Sequence, residues 1–128
     1  MAHAKASIGT TNYAVAITAG HHPLNADEGA ELGGKDSGPS PFELLCSALG
    51  ACTAITLRMY AERKDWTLRA VHVDLHLKRE GKEGAIARVL TFEGELTDEQ
   101  RARLADIAER TPVTLMLKQG VTITTTLG

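Results

Sequence analysis

Ser40-Pro41-Phe42-Glu43-Leu44-Leu45-Cys46-Ser47-Ala48-Leu49-Gly50-Ala51-Cys52-Thr53-Ala54-Ile55-Thr56-Leu57 is the stretch on which the fold turns. A serine suited to cap, a proline at the first helical position and a glutamate three residues after the serine are separate signals for a helix start. The helix they open is predicted to run to about Lys64. Its charge-free span, Leu44 to Leu57, is fourteen residues long, short of the about 20 that a membrane-spanning helix needs. The only polar groups in that span belong to Cys46, Ser47, Cys52, Thr53 and Thr56. A helix that is apolar on nearly every side has to be covered on several of them.

Upstream, Tyr13, Val15 and Ile17 alternate with smaller or polar residues, which predicts a strand paired with residues 4 to 10 across Thr10-Thr11-Asn12. Gly20 to Ser40 is rich in Gly, Pro, Asn, Asp and Ser and reads as a long loop with a short extended piece at Pro23 to Ala26. Loops of that length tend to be functional. Downstream, Val71, Val73, Leu75 and Leu77 alternate with His72, Asp74, His76 and Lys78 as a half-buried strand does. Leu90, Phe92 and Leu96 mark a second strand, joined to the first as a hairpin by the turn at Gly81 to Gly84. Thr97-Asp98-Glu99-Gln100 is another capping box, opening an amphipathic helix to about Arg110 with Leu104 and Ile107 inward. Val121, Ile123 and Leu127, with threonines at 122, 124 and 126 on the other face, predict a closing strand. These elements offer limited apolar cover for the long helix, and a second copy of the chain is the expected remedy. The reading is one domain over residues 1–128, of α+β class, assembled as a homodimer.

Composition narrows the function. The chain has 128 residues, 43% hydrophobic and 23% charged, a balance expected of a globular domain. Residues 1 to 60 carry 3 basic and 5 acidic side chains and residues 61 to 128 carry 11 of each, so no basic footprint for nucleic acid forms. Aromatic residues make up only 4%, which leaves few platforms on which bases stack. The N-terminus lacks the basic start and long apolar core of a signal peptide. Two cysteines do not make a disulfide framework, so a reducing cytoplasm is the expected setting, with no membrane partner.

Four clusters invite a chemical reading. Gly29-Ala-Glu-Leu-Gly33-Gly34-Lys35-Asp36 nearly spells a phosphate-binding loop, but Asp36 stands where Ser or Thr would hold magnesium and the helix begins too late. A glycine-rich surface loop accounts for it. His72, Asp74 and His76 share a strand face, yet the two histidines lie about 13 Å apart along it, too far to bind one zinc; a solvated face is the simpler account. The adjacent His21 and His22 lie in the long loop, and neither pattern calls for a metal. Cys46 and Cys52 are about 9 Å apart along the helix and on different faces, so they cannot bond to each other within it. Cys52 shares its face with Ala48, Leu49, Ile55, Thr56 and Met59, where a free cysteine reads as a small buried hydrophobe unless another segment or subunit brings a cation. Glu43 is accounted for by its capping box.

The run from Gly33 to Ala61, with Ser40-Pro41-Phe42-Glu43-Leu44-Leu45 and Gly50-Ala51-Cys52-Thr53 at its centre, closely resembles the OsmC/Ohr family. The resemblance continues through the hairpin, the helix after Asp98 and the terminal strand. It implies an intertwined homodimer in which long core helices are wrapped by antiparallel sheets from both subunits, with active sites at the subunit interface. It also implies that Cys52 occupies the position of the thiol that attacks an organic hydroperoxide to become a sulfenic acid, with no cofactor. Three departures accompany it. The second, resolving cysteine would stand at Thr111, in Glu109-Arg110-Thr111-Pro112-Val113. The first arginine is Arg58, so none precedes the helix, and Lys5, Lys35 or the pair His21 and His22 are the upstream residues that could supply a cation. The carboxylate that follows the helix-start proline in the peroxidase branch is replaced by Phe42, and Glu43 comes one residue later.

Two functions follow as expectations. The leading one is a thiol-dependent peroxidase in which Cys52 works in a one-cysteine mode, with Glu43 beside it in the site, an external thiol as reductant and Cys46 as an accessory thiol if the dimer brings it within reach. The alternative is a non-catalytic dimer that binds a small apolar ligand at the subunit interface. A purely structural role leaves no trace in the sequence, and fold alone does not choose among them.

Overall fold

The computed structural model describes residues Met1 to Gly128, which divide into two compact units, Met1–Leu45 and Cys46–Gly128. The first unit holds a three-stranded antiparallel sheet, β1 (Ala4–Ile8), β2 (Val15–Ala19) and β3 (His22–Ala26), in sequence order. Ile8 faces Val15 in the first pair and Val15 faces Ala26 in the second. The extended piece expected near Pro23 is thus a full strand of the sheet. Half-buried Val15, Ile17 and Ala19 alternate with exposed Ala16 and Thr18, as the sequence pattern requires.

The loop after β3 is organised by one side chain. The buried Asp27 carboxylate accepts hydrogen bonds from the amides of Tyr13 (3.1 Å), Glu28 (2.7 Å), Lys35 (3.2 Å) and Ser37 (3.2 Å), and from the Ser37 hydroxyl (2.7 Å). The Ser37 hydroxyl above all, with the amides of Ser37, Glu28 and Lys35, holds the Asp27 carboxyl well below the usual carboxylate range. Gly34 is required here because a Cβ on it would lie 2.0 Å from the Glu28 carbonyl oxygen.

Helix α1 (Pro41–Arg63) follows the predicted cap: the Glu43 amide donates to Ser40 Oγ (3.2 Å) and the Ser40 amide donates to Glu43 Oε1 (2.9 Å). Only one stripe of the helix is buried, Leu49, Thr53, Leu57 and Ala61, while Phe42, Ile55 and Met59 stay exposed.

The second unit is built on a long hairpin, β4 (Thr67–Glu80) and β5 (Glu83–Glu95), in which Val71 pairs with Phe92 and Leu77 with Ile86. Its inward face carries Val71, Val73, Leu75 and Leu77 from β4 and Ile86, Arg88, Leu90 and Phe92 from β5. A register shift at Leu68/Ala70 brings Gly94 so close to β4 that a Cβ would lie 2.0 Å from the Thr67 carbonyl oxygen. Helix α2 (Asp98–Ala108) begins at the expected capping box of Thr97 and Gln100. Leu57, Ala61, Leu68, Leu104 and Ala108 form the core, with Trp66, Leu90, Phe92 and Ile107 packed against it.

Two expectations change at the C-terminus. A third helix, α3 (Pro112–Gln119), follows α2, capped by the Thr111 hydroxyl and started by Pro112. Residues 121–127 form no strand: Ile123 is 81% and Leu127 101% exposed. The alternation of Val, Ile and Leu with Thr is suited to a strand, but a strand exists only where a neighbouring backbone accepts its ladder, and this chain presents none to the tail. The strand face with His72, Asp74 and His76 is solvent-exposed as expected, His72 pairing with Glu93, and no group of residues suited to a metal ion is present. The architecture is α+β, with both sheets antiparallel.

Candidate functional site

The two thiols sit on α1. Cys46 and Cys52 are both free and half-buried. Cys52 stands at the margin of the buried stripe, between buried Leu49 and Thr53 on one side and exposed Ala48, Ile55 and Met59 on the other. The expected environment of a small apolar contact residue is therefore only half present: Leu49 covers its part, whereas Ile55 and Met59 face outward.

Thr111, where the sequence resemblance leads one to expect a second cysteine, is fully buried. Its hydroxyl lies 2.6 Å from the hydroxyl of Thr114, one turn into α3, and accepts from the Thr114 amide at 3.4 Å. A threonine here caps α3 as a cysteine would do only weakly, because a thiol is a poor hydrogen-bonding group.

The residue that joins these positions is Arg88, on the inward face of β5. Its side chain is 11% exposed. Nη1 donates to Thr53 Oγ1 (2.9 Å) and to Thr114 Oγ1 (3.0 Å), and Nη2 donates to the Ala108 carbonyl (2.9 Å) and to Glu109 Oε2 (3.2 Å). Thr53 in turn donates its hydroxyl hydrogen to the Leu49 carbonyl (2.7 Å). One guanidinium thus ties α1, at the residue next to Cys52, to the end of α2 and to the start of α3 beside Thr111. A buried guanidinium is tolerated only when its donors are met, and no buried side-chain nitrogen or oxygen in the protein lacks a partner. Glu109 also accepts from Lys118 Nζ (3.1 Å); Lys118 first and Arg88 second hold its carboxyl below the ordinary range.

Of the residues singled out from the sequence, Cys46, Cys52 and Thr111 belong to the second compact unit, and Glu43 to the first. The Glu43 carboxylate serves the cap, and the Ser40 amide bond, then the Ser40 hydroxyl, lowers its pKa. The signal for Arg88 is present in the sequence: in Ile86-Ala87-Arg88-Val89-Leu90-Thr91-Phe92 the arginine falls in phase with three apolar, inward positions. An arginine on the core face of a strand has to find acceptors there. Thr53 and Thr114 supply two of them, and neither was marked by its own sequence context.

The sequence matches the family model described as OsmC-like protein over residues 34–126. No curated protein matches it. Among solved structures, an OsmC-like protein from Mycoplasma pneumoniae is 16% identical with a TM-score of 0.79, covering 92% of this chain and 87% of its own. An organic hydroperoxide resistance protein OsmC from Legionella pneumophila is 21% identical, TM-score 0.69, covering 92% and 89%. The organic hydroperoxide resistance protein OhrB of Bacillus subtilis is 19% identical, TM-score 0.67, covering 92% and 90%. At these identities the likeness is one of fold.

Proposed function

Since the chain belongs to the OsmC-like protein family, we propose that it is a thiol-dependent peroxidase acting on organic hydroperoxides through Cys52, in a one-cysteine mode. The observation that carries this reading is the pairing of a free, half-buried Cys52 on α1 with a hydroxyl residue, Thr111, where a second thiol would resolve it. The Cys52 thiolate attacks the O–O bond, takes the terminal oxygen as sulfenic acid and releases an alkoxide that is protonated to the alcohol. An external thiol condenses with the sulfenic acid, losing water to give a mixed disulfide, and a second thiol releases Cys52 as the oxidised reductant leaves. Thr111 cannot take part in that exchange.

In this reading residues 1–128 act as one OsmC-like domain within a homodimer in the cytoplasm, without cofactor, metal, nucleic-acid or membrane partner. Exposed Ile55 and Met59 on α1, exposed Leu115 and Met116 on α3 and the unpaired residues 121–127 support a second copy as the missing cover. Cys46 is an accessory thiol reached only across that dimer. Glu43 is a helix cap first, and a catalytic part for it would appear as a rate loss in Glu43→Gln larger than the accompanying loss of stability.

Intact-mass measurement with a sulfenic-acid trap after brief exposure to an organic hydroperoxide tests the proposal. Rapid trapping that persists in Cys46→Ser and vanishes in Cys52→Ser is expected. Full peroxide turnover in Cys52→Ser would overturn it. One observation favours the alternative, a non-catalytic dimer binding a small apolar ligand at its interface: Arg88, the strand arginine that reaches α1, is bonded to Thr53, Thr114, Ala108 and Glu109 rather than to a thiol. Absence of any trapped species, with slow alkylation of Cys52, is the outcome that reading expects.

A further inference from the structure

The second compact unit contains a cavity of about 410 Å³, walled by Leu49 of α1, Ile86 and Arg88 of β5, Leu117 and Lys118 of α3, and Glu109. Neither cysteine lines it. Its size falls within the range of small-molecule sites, and its lining divides about evenly between apolar side chains (Leu49, Ile86, Leu117) and polar ones (Arg88, Glu109, Thr114, Lys118). Two cations and one carboxylate leave the wall with one excess positive charge.

The four acceptors on Arg88 are unequal. Thr53 and Thr114 are buried side chains and Ala108 offers a backbone carbonyl, so three are fixed by the fold. The fourth, Glu109, has a side chain 59% exposed, and Lys118, its other partner, is 58% exposed. Lys118 can swing into water at little cost, because exposed ion pairs contribute at most about 1 kcal/mol, whereas Glu109 leaves the buried Arg88 readily only where another anion takes its place. Glu109 therefore holds a position on Arg88 that another carboxylate can take, with the charge-assisted geometry that guanidinium groups favour. An apolar tail on that carboxylate would lie against Leu49, Ile86 and Leu117.

We propose that this cavity binds a monocarboxylate with a short apolar tail, its carboxylate replacing Glu109 on Arg88 and Lys118. Such a site stands whether or not Cys52 reacts with peroxides.

Hexanoate, 1-hexanol and acetate titrated calorimetrically into the full chain, with NMR shifts read in parallel, test it. Hexanoate should bind about tenfold more tightly than either control, since each lacks one of the two recognised parts. Shifts should centre on Leu49, Ile86 and Leu117. Glu109→Gln, which removes the internal competitor, should tighten hexanoate about threefold, and Lys118→Ala should weaken it about threefold, each the size of one exposed ion pair. Lys118 is exposed, and Gln at 109 keeps a side-chain oxygen that can accept from Arg88, so urea unfolding of both variants should match that of the parent chain. No binding at millimolar hexanoate, equal binding of 1-hexanol, shifts centred elsewhere, or a substitution acting against its expected direction would each overturn the proposal.

Discussion

Arg88→Met removes the guanidinium while leaving an unbranched side chain in the same channel. Four hydrogen bonds from a charged donor disappear, and at a net worth of about 1.5–3 kcal/mol each they set a ceiling of about 12 kcal/mol. Three features lower that figure. Glu109 is exposed and regains water. Thr53 keeps its bond to the Leu49 carbonyl, and Thr114 keeps Thr111 and the Ala108 carbonyl. The desolvation of a buried cation is also relieved. The expected loss is about 2–4 kcal/mol, which for a chain of this length lowers the melting midpoint by about 10 °C. Urea and thermal unfolding followed by circular dichroism measure it. Thr53→Val removes one acceptor without changing volume, and the double variant should show a coupling of about 1 kcal/mol with Arg88→Met. A loss below about 0.5 kcal/mol, within the range of ordinary surface substitutions, would refute the network as a structural tie. Strict additivity with Thr53→Val would refute the Thr53 bond in particular.

Leu57, fully buried at the centre of the core, should lose about 2–5 kcal/mol on conversion to Ala in urea unfolding. Gly34→Ala should unseat the loop on Asp27, because the added Cβ meets the Glu28 carbonyl at 2.0 Å; faster amide exchange at Lys35 and Ser37 is the expected reading, and unchanged exchange would count against it. Asp27 has its folded pKa depressed, so its contribution is fully present above the unfolded carboxylate value of about 4 and is lost as pH falls below it toward the folded value. The urea midpoint should fall on acidification below about pH 4, and fall less steeply in Asp27→Asn; parallel curves would contradict the role given to that carboxylate.

The helix start at Ser40-Pro41 and the alternation of Val71 to Leu77 were legible because each signal is local: a cap lies within one turn of its helix, and a strand's faces follow from its own period. Thr111-Pro112 carries the same cap and proline signals as Ser40-Pro41, yet they do not by themselves specify α3. Eight residues are too few to establish a helical period, and the threonine alternation just beyond has the period of a strand. That strand is absent from the chain because pairing depends on a neighbouring backbone, which no side-chain pattern supplies. Arg88 was hidden for a related reason. Its position in the strand period marks it as inward, but its acceptors come from α1, the end of α2 and α3, and only the fold brings those together. Asp27 is the same case in miniature, its donors spread from Tyr13 to Ser37.

Thr111 also constrains how this chain could change. Placing a thiol at that position by Thr111→Cys would leave the Thr114 hydroxyl without its 2.6 Å hydroxyl neighbour, and Thr114 is one of the groups that hold Arg88. A third thiol at that position would therefore come at the expense of a hydroxyl in the Arg88 network, and its effect would be read at Thr114 and Arg88 rather than at position 111 alone.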